Sequence, residues 1–149
     1  MTDSVIVCNG CCCGNTKKEG HNAVPTDFLE TEWERQGLAE NIKLKISDCL
    51  GPCSMHNVAL LKTNEGHTWI GNLSEIEHFQ ALVGWASEVS RSGHYVDLPE
   101  ILESNLFIPD GDKSKGSTSA NLVRHLGSMI VLIIVSTILS GCIVGEFVE

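Results

Sequence analysis

Apolar residues before position 93 fall into short runs whose period changes along the chain. Val5-Ile6-Val7 is a compact run ending on Cys8, and it predicts a buried strand over Ser4–Cys8. From Thr26 the pattern turns helical: Asp27, Glu30 and Glu32 sit near an N-terminus, Phe28, Leu29 and Trp33 share one side, and Gly37 supplies a stop. Ile42, Leu44 and Ile46 then alternate with Lys43, Lys45 and Ser47, the period-two signature of a half-buried strand with one charged face. Asn57–Lys62 is a second apolar run, Thr63-Asn64-Glu65-Gly66 a turn, and His67–Ile70 its hairpin partner. Ser74 and Glu77 have capping-box spacing ahead of Ile76, Phe79, Leu82, Val83, Trp85, Ala86 and Val89, which predicts a helix over 74–90.

The order is strand, long loop, helix, strand, turn, hairpin, helix, an α/β arrangement with a mixed four-stranded sheet. The first two strands are expected to run parallel, joined by a right-handed crossover through the first helix. The loops after these two strands then leave the same end of the sheet. The first of them, over residues 9–23, is rich in Gly, Asn and Lys and has neither helical nor strand character. Trp33, Trp69 and Trp85 are read as core aromatics.

The domain is expected to span 1–92. Residues 93–121 read as a linker, with Pro99, Pro109 and the polar stretch Asp112–Ser119. Residues 122–149 are of different chemistry. Leu126–Gly145 is a charge-free run of 20 residues, long enough as a helix to cross a hydrocarbon core of about 30 Å. It reads as a C-terminal transmembrane tail anchor. Lys113, Lys115 and Arg124 precede it and Glu146 and Glu149 come after it, so a single-pass membrane protein with its N-terminal domain in the cytoplasm is expected. Leu139-Ser140-Gly141-Cys142 has the look of a lipoprotein-processing box, but that signal acts near an N-terminus.

Charge removes one class of function. Over residues 1–112 there are 7 Lys and Arg against 17 Asp and Glu, which excludes the basic patch a phosphate backbone needs and suits docking to basic protein surfaces. Phosphate loops, nucleophile elbows and paired catalytic carboxylates do not stand out. Hydrolase and nucleotide chemistry therefore have no support in the sequence.

The cysteines carry the chemistry. Six of seven lie in two Gly-rich stretches, Cys8-Asn9-Gly10-Cys11-Cys12-Cys13-Gly14 and Cys49-Leu50-Gly51-Pro52-Cys53. No apolar signal segment precedes them, and in a reducing compartment clustered thiols read as a metal or redox site rather than a disulfide framework. Pairing Cys8 with Cys13 gives Cys-x4-Cys, then 35 intervening residues, then Cys49-x3-Cys53, a complete four-thiolate set for a 2Fe-2S cluster. Zinc competes, since four thiolates also close a tetrahedral site and Cys8-x2-Cys11 is a zinc-like spacing. A thioredoxin-type dithiol would place its Cys-x-x-Cys at a helix N-terminus, whereas this one enters a polar loop. His21 and His56 flank the thiols and could replace two of them in a Rieske-like set, although lone histidines are more often surface or core residues.

The strand ending on Cys8, the Cys8-x4-Cys13 spacing, and Cys49-Leu50-Gly51-Pro52-Cys53 ahead of an apolar strand resemble the thioredoxin-like 2Fe-2S ferredoxins, which include the cluster-carrying small subunit of respiratory NADH dehydrogenases. The resemblance covers residues 4–90. It implies a thioredoxin-like α/β sandwich, one 2Fe-2S cluster held by Cys8, Cys13, Cys49 and Cys53, an electron-transfer protein rather than an enzyme, single-electron exchange with redox protein partners, and a homodimer as one expected assembly. The chain departs from that pattern at Cys11-Cys12-Cys13, where three thiols compete for one ligand position. Cys12, then Cys11, are the alternates to Cys13. The surplus thiols also fit a metal-delivery or cluster-delivery protein, for zinc, cobalt or an iron-sulfur unit, without redox turnover.

Overall fold

Val5 and Val7 lie on one face of the first strand and have no exposed surface; this strand is an interior strand of the sheet, paired on both sides. A computed structural model describes residues 3–10, 12–18 and 21–109, all within the compact unit Met1–Lys115. Strand β1 (Asp3–Cys8) is followed by helix α1 (Thr26–Arg35), a 3-10 turn (Leu38–Glu40), β2 (Ile42–Ser47), β3 (Ala59–Thr63), β4 (Gly66–Ile70), helix α2 (Ile76–Ser92), the short helix α3 (Glu100–Glu103) and β5 (Leu106–Phe107). The sheet order is β2-β1-β3-β4-β5. β1 and β2 pair in parallel and every other neighbour is antiparallel.

Register sorts the side chains by face. Val5 lies opposite Leu61 and Val7 opposite Ala59, and these four join Ile70 in one buried cluster with Leu29 and Trp33 of α1 and with Phe79, Leu82, Trp85 and Ala86 of α2. Each large side chain buried there stabilises the fold by about 1.5–3 kcal/mol relative to exposure. Both indoles keep their N–H satisfied inside it: Trp33 Nε1 donates to Ile42 O at 2.7 Å, and Trp85 Nε1 to Val96 O at 3.0 Å. The next register row crosses the opposite face through Lys45, Ile6, Leu60, Trp69 and Phe107. β2 is an edge strand whose Lys43 and Lys45 point to solvent, which agrees with its alternating pattern.

Three local expectations shift. The sheet has five strands, not four. Part of the expected linker also belongs to the domain: Leu98 and Leu102 are buried, and β5 pairs with β4. A two-residue strand is too short to show a period, and Pro99, at the N-cap of α3, is equally a loop signal. The α2 capping box is formed by Glu75 and His78 rather than by Ser74 and Glu77. Ser74 Oγ is engaged elsewhere, 3.0 Å from His56 Nε2 and donating to Asn72 O at 3.3 Å. The third strand starts at Ala59 because Asn57 takes a positive φ of 48°, which no strand accommodates.

No helix among the described residues is long and apolar enough to cross a membrane. The tail-anchor expectation for 122–149 lies outside the described residues.

Candidate metal centre

Parallel pairing fixes where the thiols emerge. Cys8 closes β1 and is in register with Ser47, which closes β2, so the two thiol-bearing loops leave the sheet side by side. Asn9 N donates to Ser47 O at 2.8 Å and Cys8 N to Val58 O at 2.8 Å, which ties the start of the first loop to both neighbouring segments. Gly10 then passes directly over the Asp48 backbone. A Cβ at that position would overlap the Asp48 carbonyl oxygen and lie 2.9 Å from its carbon, so only glycine permits the approach.

Each loop is shaped by its own backbone. In the first, Cys13 N donates to Gly10 O at 3.0 Å and Gly14 turns the chain with φ 70°. In the second, Gly51 has φ 109°, Cys53 N donates to Gly51 O at 2.7 Å, and Met55 N to Pro52 O at 3.1 Å. Between them lies a small cleft, open to solvent and lined by Cys8, Cys12, Cys13, Cys49 and Cys53, with Gly10, Gly51 and Leu50 among its other walls. All four expected ligands and the first alternate, Cys12, thus line the same cleft. Cys11 lies outside the described residues.

The thiols differ in depth. Cys8 and Cys13 are 3% and 7% exposed and belong to the hydrophobic core, Cys12 is half-buried, and Cys49 and Cys53 are exposed. Burial pushes the Cys8 thiol up to about 12 from its ordinary 9.0; its hydrogen bond with Cys13 and the charges of Cys13 and Cys49 push the same way, while the Leu50 backbone opposes them. Cys8 Sγ also lies 3.8 Å from Asp48 O. At neutral pH the metal-free Cys8 is therefore a protonated thiol, and a metal has to displace that proton to bind it. Lys18 Nζ sits 3.4 Å from Cys12 Sγ and brings a positive charge to the rim.

The two histidines are near but not in the cleft. Their rings stack with centroids 4.1 Å apart, His21 Nδ1 lies 3.1 Å from Cys12 O, and His56 Nε2 faces Ser74 Oγ. Burial, then the neighbouring His21, holds His56 below its ordinary 6.5. Neither ring lines the cleft, so a Rieske-like replacement of thiolates is not what the geometry presents. Among the described residues, no three His, Cys, Asp or Glu side chains are gathered closely enough to hold a metal ion.

Among solved structures, the chain is similar to the thioredoxin-like 2Fe-2S ferredoxin from Aquifex aeolicus, with a TM-score of 0.44 and 14% identity over 72% of this chain and 97% of that one. No protein family model and no curated protein sequence matches. The chemistry open to the cleft rests on its own residues. Five soft sulfur donors and no carboxylate or imidazole line it, a donor set suited to iron-sulfur or thiolate-metal chemistry.

Asn57 is a site residue that sequence reasoning missed. It is fully buried, accepts from Gly14 N at 2.7 Å, and donates to Asn22 O at 2.8 Å and to Leu73 O at 3.0 Å. In sequence it reads as the polar first residue of an apolar run. The available signal was the tolerance of Asn for positive φ directly before a strand.

Proposed function

We propose that this chain is a 2Fe-2S protein of ferredoxin type that carries single electrons between protein partners. The observation that carries the reading is the convergence of five cysteines from two loops on one cleft, with one pair buried and another at the surface. A 2Fe-2S cluster supplies a one-electron couple when bound. The chain's own part is to provide Cys8 and Cys13 from the first loop and Cys49 and Cys53 from the second. It also keeps carboxylates out of the lining and sets Gly10 and Gly51 in it, where backbone amides can tune a potential. Exposure of Cys49 and Cys53 puts one side of the site within reach of a docked partner, and the excess of acidic side chains favours a partner with a basic face. Tethering through the apolar run 126–145 belongs to the same proposal and rests on hydropathy alone.

A second reading, delivery of a metal or a cluster without redox turnover, is favoured by one observation: Cys12 lines the same cleft as a fifth thiol, with Lys18 beside it. Anaerobic purification with iron, zinc and acid-labile sulfide analysis separates the two. Iron and sulfide in equal amounts, with visible absorption that bleaches on reduction and returns on oxidation, supports the electron carrier. Zinc without sulfide overturns it.

A further inference from the structure

We propose that Asn57 is the positioning residue of the thiol site, a clamp whose carboxamide holds the first thiol loop in its place relative to the second. It deepens the ferredoxin reading, on which its functional half rests. The side chain is completely buried. Both Nδ2 protons are used, one on Asn22 O near the end of the first loop and one on Leu73 O in the β4–α2 connection. Its Oδ1 accepts from Gly14 N, the amide immediately after Cys13. One carboxamide therefore grips the first loop at Gly14, directly after its thiols, and at Asn22, near its end, and ties it to a third segment.

The backbone of Asn57 is fixed just as firmly. Its carbonyl accepts from Leu73 N at 3.3 Å, the neighbouring His56 O accepts from Asn72 N at 2.7 Å, and Asn57 itself lies four residues after Cys53. The clamp is thus built on the segment that leaves the second thiol loop. Its positive φ of 48° points the short side chain back under the first loop, and asparagine is among the few residues that take this conformation with little strain. Aspartate at the same position could still accept from Gly14 N but would have nothing to donate to the two carbonyls.

Asn57→Gly keeps the positive φ and removes the carboxamide, so it tests the clamp rather than the backbone. The direct readout is hydrogen exchange of the Gly14 amide by NMR, in the metal-free, reduced full chain. Loss of the bonds made by one buried carboxamide raises local opening on the order of 100-fold relative to core amides such as that of Leu61. Leu102→Ala, destabilising at a distance, supplies the control: it shifts Gly14 and core amides together. After reconstitution with iron and sulfide, Asn57→Gly is expected to show an altered visible circular dichroism spectrum and reduction potential, whereas Leu102→Ala keeps both. Asn57→Asp, which preserves volume, is the second variant and is expected to keep Gly14 protected while changing the spectrum. Unchanged Gly14 protection in Asn57→Gly overturns the clamp, and a wild-type spectrum and potential in both Asn57 variants overturns its positioning role. If the wild-type chain takes up no iron and sulfide, the ferredoxin reading fails, and the exchange measurement still decides the clamp.

Discussion

Replacing Gly10 by alanine places a methyl group where the two thiol loops touch. The added carbon overlaps the Asp48 carbonyl oxygen and lies 2.9 and 3.0 Å from the carbonyl carbon and Cα, all of them backbone atoms. A flexible side chain could swing away, but backbone directly after the paired end of β2 cannot. Relief has to come from spreading the loops after Cys8 and Ser47, which are held together by the Asn9 N to Ser47 O bond at 2.8 Å. Overpacking of this kind typically costs about 1–3 kcal/mol, and at about 2 kcal/mol a domain near 100 residues loses roughly 10 °C in Tm. Gly84→Ala is the matched control: it is exposed in the middle of α2, its added Cβ meets nothing within 4 Å, and helix propensity predicts a gain of roughly 0.5–1 kcal/mol. The assay is thermal unfolding followed by far-ultraviolet circular dichroism under reducing conditions, with iron and sulfide content measured on reconstituted samples. Gly10→Ala should melt lower and bind less of both. A Gly10→Ala protein that melts with the wild type and loads fully would refute the close-approach argument.

The same geometry sets three further outcomes. Cys8→Ser and Cys49→Ser should each lose most reconstituted iron, whereas Cys12→Ser and Cys11→Ser should keep it; iron analysis and absorption spectra check this, and loss in Cys11→Ser or Cys12→Ser alone would reassign the first-loop ligand. Leu102→Ala should lower urea-unfolding stability by about 2–5 kcal/mol, because Leu102 is fully buried; a change below about 0.5 kcal/mol would show that residues past 93 do not belong to the core. Tyr95 is held above its ordinary 10.0 by burial, then by the charges of Asp97 and Glu65, with its hydrogen bond to Thr68 working the other way. The folded state keeps the phenol proton that the unfolded chain releases, so this contribution is complete below pH 10 and is lost as pH rises through the folded value. Tyr95→Phe should therefore flatten the alkaline limb of stability against pH, measured by urea unfolding in the metal-free protein. An unchanged slope would contradict the burial of that hydroxyl.

The parts of the fold that sequence made legible are those with a strong period. Ile42–Ser47 alternates without interruption and is found as β2, and the apolar spacing from Phe79 to Val89 is found on the buried face of α2, with Ile76 left exposed. The side-by-side exit of the two thiol loops was also readable, because each comes after a strand and the two strands are joined through a helix. The features that escaped had no periodic signal. β5 is two residues long, and the α2 cap moved by one residue because Ser74 is committed to His56 and Asn72. Asn57 could not be found at all from local pattern, since its three partners lie 43, 35 and 16 residues away. Closeness of Gly10 to Asp48 is likewise a tertiary fact, invisible in a Gly-rich loop that could turn in many ways.

The difference in depth among the thiols gives the site a direction. Cys49 and Cys53 stand on a surface turn, whereas Cys8 and Cys13 are part of the packed interior, where a change in position disturbs Val5, Val7 and the helices behind them. Reagents, metal ions and oxidants arriving from water meet the outer turn first and the β1 side last. Any adjustment needed to accept a guest falls on the Gly51-Pro52 turn, while the inner side acts as a fixed reference. Chemical modification should therefore concentrate on the outer thiols, and the strand that ends in Cys8 should be the protected side of the cleft.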